Sequence, residues 1–258
     1  MNGPDRTGRL IIVRLDVKDT SIVAPRMAAW LALAVLLVAW VALDAAIQPA
    51  RDHVIAFLQL SEARAVVATR ALFNVGLLWA ATALTVLILR ARGQSLADIG
   101  WRRPAPGLGW LLAAGLTVLY VGGGLATVGN RAQLWSDWSF YRVSLGIILG
   151  VSAGVCCEVI FRGFVISQAR DAGLSVALQV LLSATLFGVA LARFGWGGSG
   201  VPLDSRVVLG VTAATAALGA AFSGIYFASA RSLTPAIAAH LVIDMVLQPG
   251  VMLLVSGA

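Results

Sequence analysis

Charge is what this sequence has least of. Only 12% of its residues are Asp, Glu, Lys or Arg, against roughly 25% in a soluble globular domain. With 59% hydrophobic residues and a mean hydropathy of +0.89, the chain has too little polar surface to cover a water-soluble fold of 258 residues. Lipid therefore takes the place of water as its solvent. Lysine is nearly absent as well: of 19 basic residues, all but Lys18 are Arg. The formal net charge of +7 is spread between apolar runs. A nucleic-acid binder gathers such charge into one patch or stripe, so a nucleic-acid partner is not expected, and the scatter suits membrane topology signals.

Histidine and cysteine are scarce too. The two histidines and the two adjacent cysteines, Cys156 and Cys157, form no CxxC or Cys/His ligand pattern, so neither a metal nor another cofactor is expected. Neighbouring residues on a helix point about 100° apart, so no disulfide is expected between these two. Also missing are a clean signal-peptide cleavage site, an internal repeat and any separate soluble domain.

What is present is a succession of apolar runs, each near the roughly 20 residues that a membrane span needs. They fall at about 27–47, 71–89, 107–128, from 143 into the polar stretch around Glu158, then 174–191, 207–228 and 236–254. The expected fold is all-α: a polytopic transmembrane helix bundle of about seven spans (six to eight). Residues 1–26 read as a cytoplasmic tail and 27–258 as a membrane domain. Pro49, Arg51 and Asp52 should end the first span. Residues 53–70 read as an amphipathic interfacial helix, or as the start of the second span. Gly122, Gly123 and Gly124 should interrupt the third. The tail holds five basic residues, and the 90–106 connector RARGQSLADIGWRRPAP holds four. That bias places the N-terminus in the cytoplasm of a multi-pass cell-membrane protein, with membrane lipid as a partner.

Two polar pairs interrupt the apolar background. Glu158 and Arg162 close the fourth span, and His240 and Asp244 lie inside the last. Both are spaced i, i+4, so each pair shares one helix face. Ionisable residues at membrane depth are costly, face a bundle interior and mark functional sites. The alternative is that each pair only satisfies itself and pins the bundle. A carboxylate one turn from a histidine can orient its ring, and two such pairs on separate spans point to one shared polar cavity.

The order and spacing of these residues resemble the CPBP family (CAAX proteases and bacteriocin-processing enzymes, also called Abi). These are intramembrane glutamic endopeptidases related to the type II CAAX prenyl endopeptidase. The family's motifs are Glu-Glu-x-x-x-Arg, Phe-x-x-x-His and His-x-x-x-Asn or His-x-x-x-Asp. The present chain reads Cys157-Glu158-x-x-x-Arg162, Phe187-x-x-x-Leu191 and His240-x-x-x-Asp244. The flanking SLADIGWRRP, LFGVA and GIYFASARSLTPAIAAH are also family-like, and the resemblance covers about 95–248. It implies that spans four to seven form a core around a cytoplasm-facing polar cavity. It implies catalytic-site positions at Glu158, Arg162, His240 and Asp244, with His240 and Asp244 stabilising an oxyanion. It further implies a peptide or membrane-protein substrate or partner.

Two positions depart from the pattern. The resemblance assigns water activation to the first Glu of motif one and the His of motif two, and here these are Cys157 and Leu191. General-base assistance contributes about 10²–10⁴-fold, and Leu191 cannot accept a proton. Glu158 is rotated by about 100° from Cys157 around a helix. Cys157 is either a nucleophile with His240 as its base or a small buried hydrophobe. Three readings follow: a catalytically impaired endopeptidase of this family, a pseudoprotease that binds a peptide, lipid or partner without cutting it, and a small membrane transporter. Transporters often carry inverted repeats, and none is visible.

Overall fold

The structure is a computed structural model, and it describes residues 20–59, 63–104, 107–128, 140–197 and 205–255. Among these, all regular structure is helical. The elements are α1 (Thr20–Phe57), α2 (Ala63–Ala91), α3 (Leu108–Val128), α4 (Phe140–Cys157), a π-helical segment (Glu158–Val165), α5 (Ile166–Asp171), α6 (Val176–Gly197), α7 (Ser205–Ala228) and α8 (Thr234–Val255). Because α4, the π-helical segment and α5 run on without a break, the described chain forms seven long helical rods, matching the seven apolar runs. Five are long and apolar enough to cross a membrane: Ala24–Phe57, Ala68–Ala91, Leu108–Ala126, Val143–Asp171 and Val208–Ala228. The other two carry shorter apolar helices over Val176–Ala192 and Thr234–Leu247. The chain is a multi-pass, all-helical membrane bundle.

Three local expectations change. The first helix does not stop at Pro49 but continues to Phe57. An internal proline removes one i→i−4 hydrogen bond, yet the polar residues around it satisfy one another along the rod. Gln48 donates to both carboxylate oxygens of Asp44 at 3.2 and 3.3 Å, and Arg51 Nε donates to Asp52 at 2.9 Å. The interfacial segment expected from residue 53 is thus divided between the end of α1 and the start of α2. The three consecutive glycines do not interrupt α3 either; Gly124 lies against Leu247 of α8. Most of the tail lies outside the described residues, and α1 already begins at Thr20.

Three helices end in the same way on one face of the bundle. At α2 the amide of Gln94 donates to Leu89 and that of Gly93 to Arg90. At α5 Leu174 donates to Ala169 and Gly173 to Arg170. At α7 Arg231 donates to Tyr226 and Ala230 to Phe227. Each is a Schellman closure, which needs a left-handed residue just past the helix. Glycine fills that position in the first two, with φ of +70° at Gly93 and +86° at Gly173. In the third it is Ala230, φ +52°, followed by Arg231 at +63°.

The bundle is held by close helix approach. Gly150 and Gly154 of α4 face Leu241 and Met245 of α8; a Cβ on Gly154 would lie 2.9 Å from the Leu241 amide nitrogen. Gly188 and Gly219 do the same between α6 and α7. Such small-xxx-small spacings let backbones touch where lipid offers no hydrophobic gain from packing. α4 with α8 and α6 with α7 are the two most extensive helix pairs. Together they carry the polar residues of the fourth and last rods to one place.

Candidate functional site

The π-helical segment EVIFRGFV is buried along its whole length. Wider i→i+5 turns of this kind are rare and often lie at functional sites. Within it Arg162 Nη1 donates to Glu158 Oε1 at 3.0 Å, with both side chains fully buried. The same carboxylate oxygen lies 2.7 Å from His240 Nδ1. An ionised carboxylate only accepts, so Nδ1 carries the proton of that bond. On the other side of the ring, His240 Nε2 is 3.5 Å from Asp244 Oδ2, an ion-pair distance rather than a good hydrogen bond. The two polar pairs read from the sequence are therefore one cluster, joined at Glu158 Oε1. Two carboxyl groups, one guanidinium and one imidazole thus meet in a single buried cluster.

Aromatic rings fix this arrangement. The His240 ring stacks on Phe222 at 4.7 Å with 18° between planes, and meets Phe187 edge-on at 5.7 Å and 81°. The Arg162 guanidinium lies 4.2 Å from the Phe187 centroid and 5.1 Å from that of Phe222. Desolvated cation–π contacts of this sort contribute about 2 kcal/mol. A second guanidinium nitrogen, Arg162 Nη2, donates to the Gly219 carbonyl at 3.0 Å. Ser183, one turn before Phe187 on α6, donates to the Phe161 carbonyl at 2.9 Å and ties α6 to the π-helical segment. Glu158 Oε2 and Arg162 Nε are buried without a hydrogen-bond partner.

The order of a carboxylate–arginine pair, a phenylalanine and a histidine–carboxylate pair, closing on one oxygen, sets the frame for comparison. Residues 138–246 match the family model of the type II CAAX prenyl endopeptidase Rce1-like proteins. Over that stretch the chain is similar to the Rce1-like proteins. The match lies inside the 95–248 stretch and takes in the π-helical segment and all four polar residues. No curated protein and no solved structure matches the chain.

Within the matched stretch the two substituted positions are apolar in surroundings as well as in name. Cys157 is 1% exposed and belongs to the apolar cluster of Val159, Phe161 and Phe187. Leu191 is half-buried and packs against that same cluster. Both cysteines are free and buried. Among the described residues, no three His, Cys, Asp or Glu side chains converge as a metal site.

Sequence reasoning named Phe187 as part of a motif but missed Phe222 and Gly219. Phe222 sits on α7, where the Ala- and Gly-rich sequence carries no charge between Arg206 and Arg231. It lies two residues before the family-like stretch that leads to His240, so no quoted motif marked it. The π-helical turn left no mark in composition.

Proposed function

We propose that the chain is a catalytically impaired relative of the CAAX-type intramembrane endopeptidases, one that keeps the buried polar cluster to hold a peptide or partner segment without hydrolysing it. The observation that carries this reading is the state of Glu158. It is the only carboxylate left in the first motif, and one of its oxygens accepts from both Arg162 and His240. A carboxylate committed to two donors, one of them cationic, is a poor general base. Neither replaced position supplies another base. Leu191 has no lone pair, and Cys157 is buried in the apolar cluster, where a free cysteine packs as a small hydrophobe.

The cluster retains capacity for binding. Glu158 Oε2 accepts nothing and Arg162 Nε donates nothing, so a peptide amide or carbonyl entering the cluster would meet one acceptor and one donor. His240 with Asp244 then plays an orienting role. On this reading the cluster opens toward the cytoplasm, the N-terminus lies on the same side, and the protein resides in the cell membrane. The support is the excess of arginine in the connector between α2 and α3 and in the tail. A working endopeptidase with an altered site is the competing reading. A transporter is less favoured, because Glu158, Arg162 and His240 are tied to one another rather than strung along a path.

The test is cleavage of a peptide library, prenylated CAAX peptides included, by the purified protein in liposomes, alongside a Glu158→Ala/His240→Ala control. The expected result is binding without products. Products that disappear in the control would overturn the proposal and make Cys157→Ala the next variant to assay.

A further inference from the structure

A second polar site lies away from this cluster, at the face where α2, α5 and α7 end. The connector between α2 and α3 folds back there. Tyr226 donates to the Ile99 carbonyl at 3.2 Å, the Leu233 amide donates to the Gly100 carbonyl at 2.9 Å, and Arg102 donates to the Ala230 carbonyl. Gly100 adopts φ +103°, and a Cβ there would collide with the Arg231 carbonyl. The connector is thus fitted to the α7–α8 turn rather than draped over it.

Between them is a basin of about 440 Å³, lined by Arg102, Arg170 and Arg231 together with Asp98 and Asp171. That volume is within the range of small-molecule sites, roughly 300–1,000 Å³. The two carboxylates are already engaged. Asp98 accepts from the Ser95 amide and hydroxyl, both at 2.7 Å. These bonds hold its carboxyl below the usual carboxylate range, so it stays ionised at neutral pH. Asp171 accepts from Gln94 at 3.1 Å and from Arg170 at 3.1 Å, and lies 3.8 Å from Arg92.

Arg170 gives both Nε and Nη2 to Asp171, and Arg102 gives Nη2 to the Ala230 carbonyl, so each has only part of its guanidinium left, whereas Arg231 keeps an unused donor. Arg231 Nη1 is buried and has no hydrogen-bond partner. Its guanidinium is held 5.1 Å from the Phe227 ring, and its backbone is left-handed at φ +63°. Non-glycine residues rarely adopt that conformation, and strain of this kind persists where the surroundings over-determine it. Three guanidiniums against two occupied carboxylates leave a positive basin at the rim of a membrane bundle. The group they match is one that takes several N–H donors at once and carries negative charge.

We propose that this basin binds a phosphate group, presented either by a phospholipid headgroup at the membrane surface or as a free phosphate. Arg231 and Arg170 supply the donors, and Arg102 fixes the wall by its bond to the α7–α8 turn. The site shares no residue with the Glu158–His240 cluster, so it stands whether or not that cluster hydrolyses peptides.

The experiment is thermal unfolding of the full-length protein in detergent, titrated separately with inorganic phosphate and with short-chain phosphatidylglycerol, against chloride at matched ionic strength. Wild-type, Arg103→Ala, Arg170→Ala, Arg231→Lys and Arg170→Ala/Arg231→Ala proteins are compared. Arg103 is exposed and outside the basin. Each charged contact removed should weaken binding about tenfold or more. Arg103→Ala should titrate like wild type, and Arg231→Lys should weaken binding by losing the planar donor fork. Stabilisation by both probes assigns a free-phosphate site, and stabilisation by the lipid alone assigns a headgroup site; either supports the proposal. No stabilisation of the wild-type protein by either probe overturns it. So does unchanged binding in Arg170→Ala, which serves if the Arg231 variants do not fold.

Discussion

Arg162 is a fully buried cation in a membrane bundle, and its surroundings explain how it is tolerated. It has a carboxylate at 3.0 Å, a backbone carbonyl at 3.0 Å and two aromatic faces within about 5 Å. Removing one partner of such a pair strands the other, at about 3–5 kcal/mol. Arg162→Ala should therefore destabilise the protein by that order in detergent unfolding. Glu158→Gln/Arg162→Met, which removes both charges, should cost less than Arg162→Ala alone. A double variant as unstable as the sum of the singles would mean the pair is not coupled. The residues of this cluster were legible in the sequence because charge is so rare in it: each ionisable side chain inside an apolar run stood out. Their junction at one carboxylate oxygen was not legible, since two helix-spaced pairs on separate rods say nothing about which atoms meet. The aromatic cage around them was hidden for the opposite reason, because phenylalanines are ordinary in a membrane helix.

The helix pair α4 and α8 determines whether His240 reaches Glu158. Gly150 and Gly154 put the two backbones in contact, and a Cβ at Gly154 would sit 3.0 Å from the Leu241 Cα. Gly154→Leu should push α8 outward and draw His240 from Glu158. An overpacked interface of this kind costs about 1–3 kcal/mol, measurable by detergent unfolding. The same variant should weaken the coupling between Glu158→Gln and His240→Ala in a mutant cycle. Unchanged stability and coupling would show that the contact is slack. Rod number and approximate bounds were readable from hydropathy alone. Errors arose where a residue's soluble-protein meaning was carried into lipid. Pro49 and the triple glycine break helices in water, but neither ends one here. In a bilayer an unpaired backbone group has no water to bond, so the helix persists through weak residues.

Across the whole molecule, the closures of α2, α5 and α7 gather the connector arginines, the phosphate basin and the α7–α8 turn on one face. The hairpin between α1 and α2 lies at the other ends of its helices. Antiparallel rods require these two regions to be on opposite sides of the membrane. Both native cysteines are buried, so wild-type protein should resist an impermeant maleimide in intact cells or vesicles. Ala97→Cys and Leu58→Cys, both at exposed positions, should label from opposite sides, with Ala97→Cys facing the cytoplasm. Labelling of both from the same side would refute the rod topology, and labelling of Ala97→Cys from outside would reverse the proposed orientation.

On the proposed reading, Arg162, His240 and the two carboxylates are what remains of a CAAX-type site, and the two positions that the family resemblance assigns to water activation hold a thiol and an isobutyl group. Restoring those positions is the measurement that separates a binding scaffold from an enzyme. Cleavage of prenylated peptides in liposomes would be followed for wild-type and Cys157→Glu/Leu191→His proteins side by side. The expected result is no turnover by the wild type and measurable turnover by the restored protein, lost again on His240→Ala. Turnover by the wild type that vanishes with Glu158→Gln would contradict it, and would assign the hydrolytic role to the carboxylate that the cluster holds.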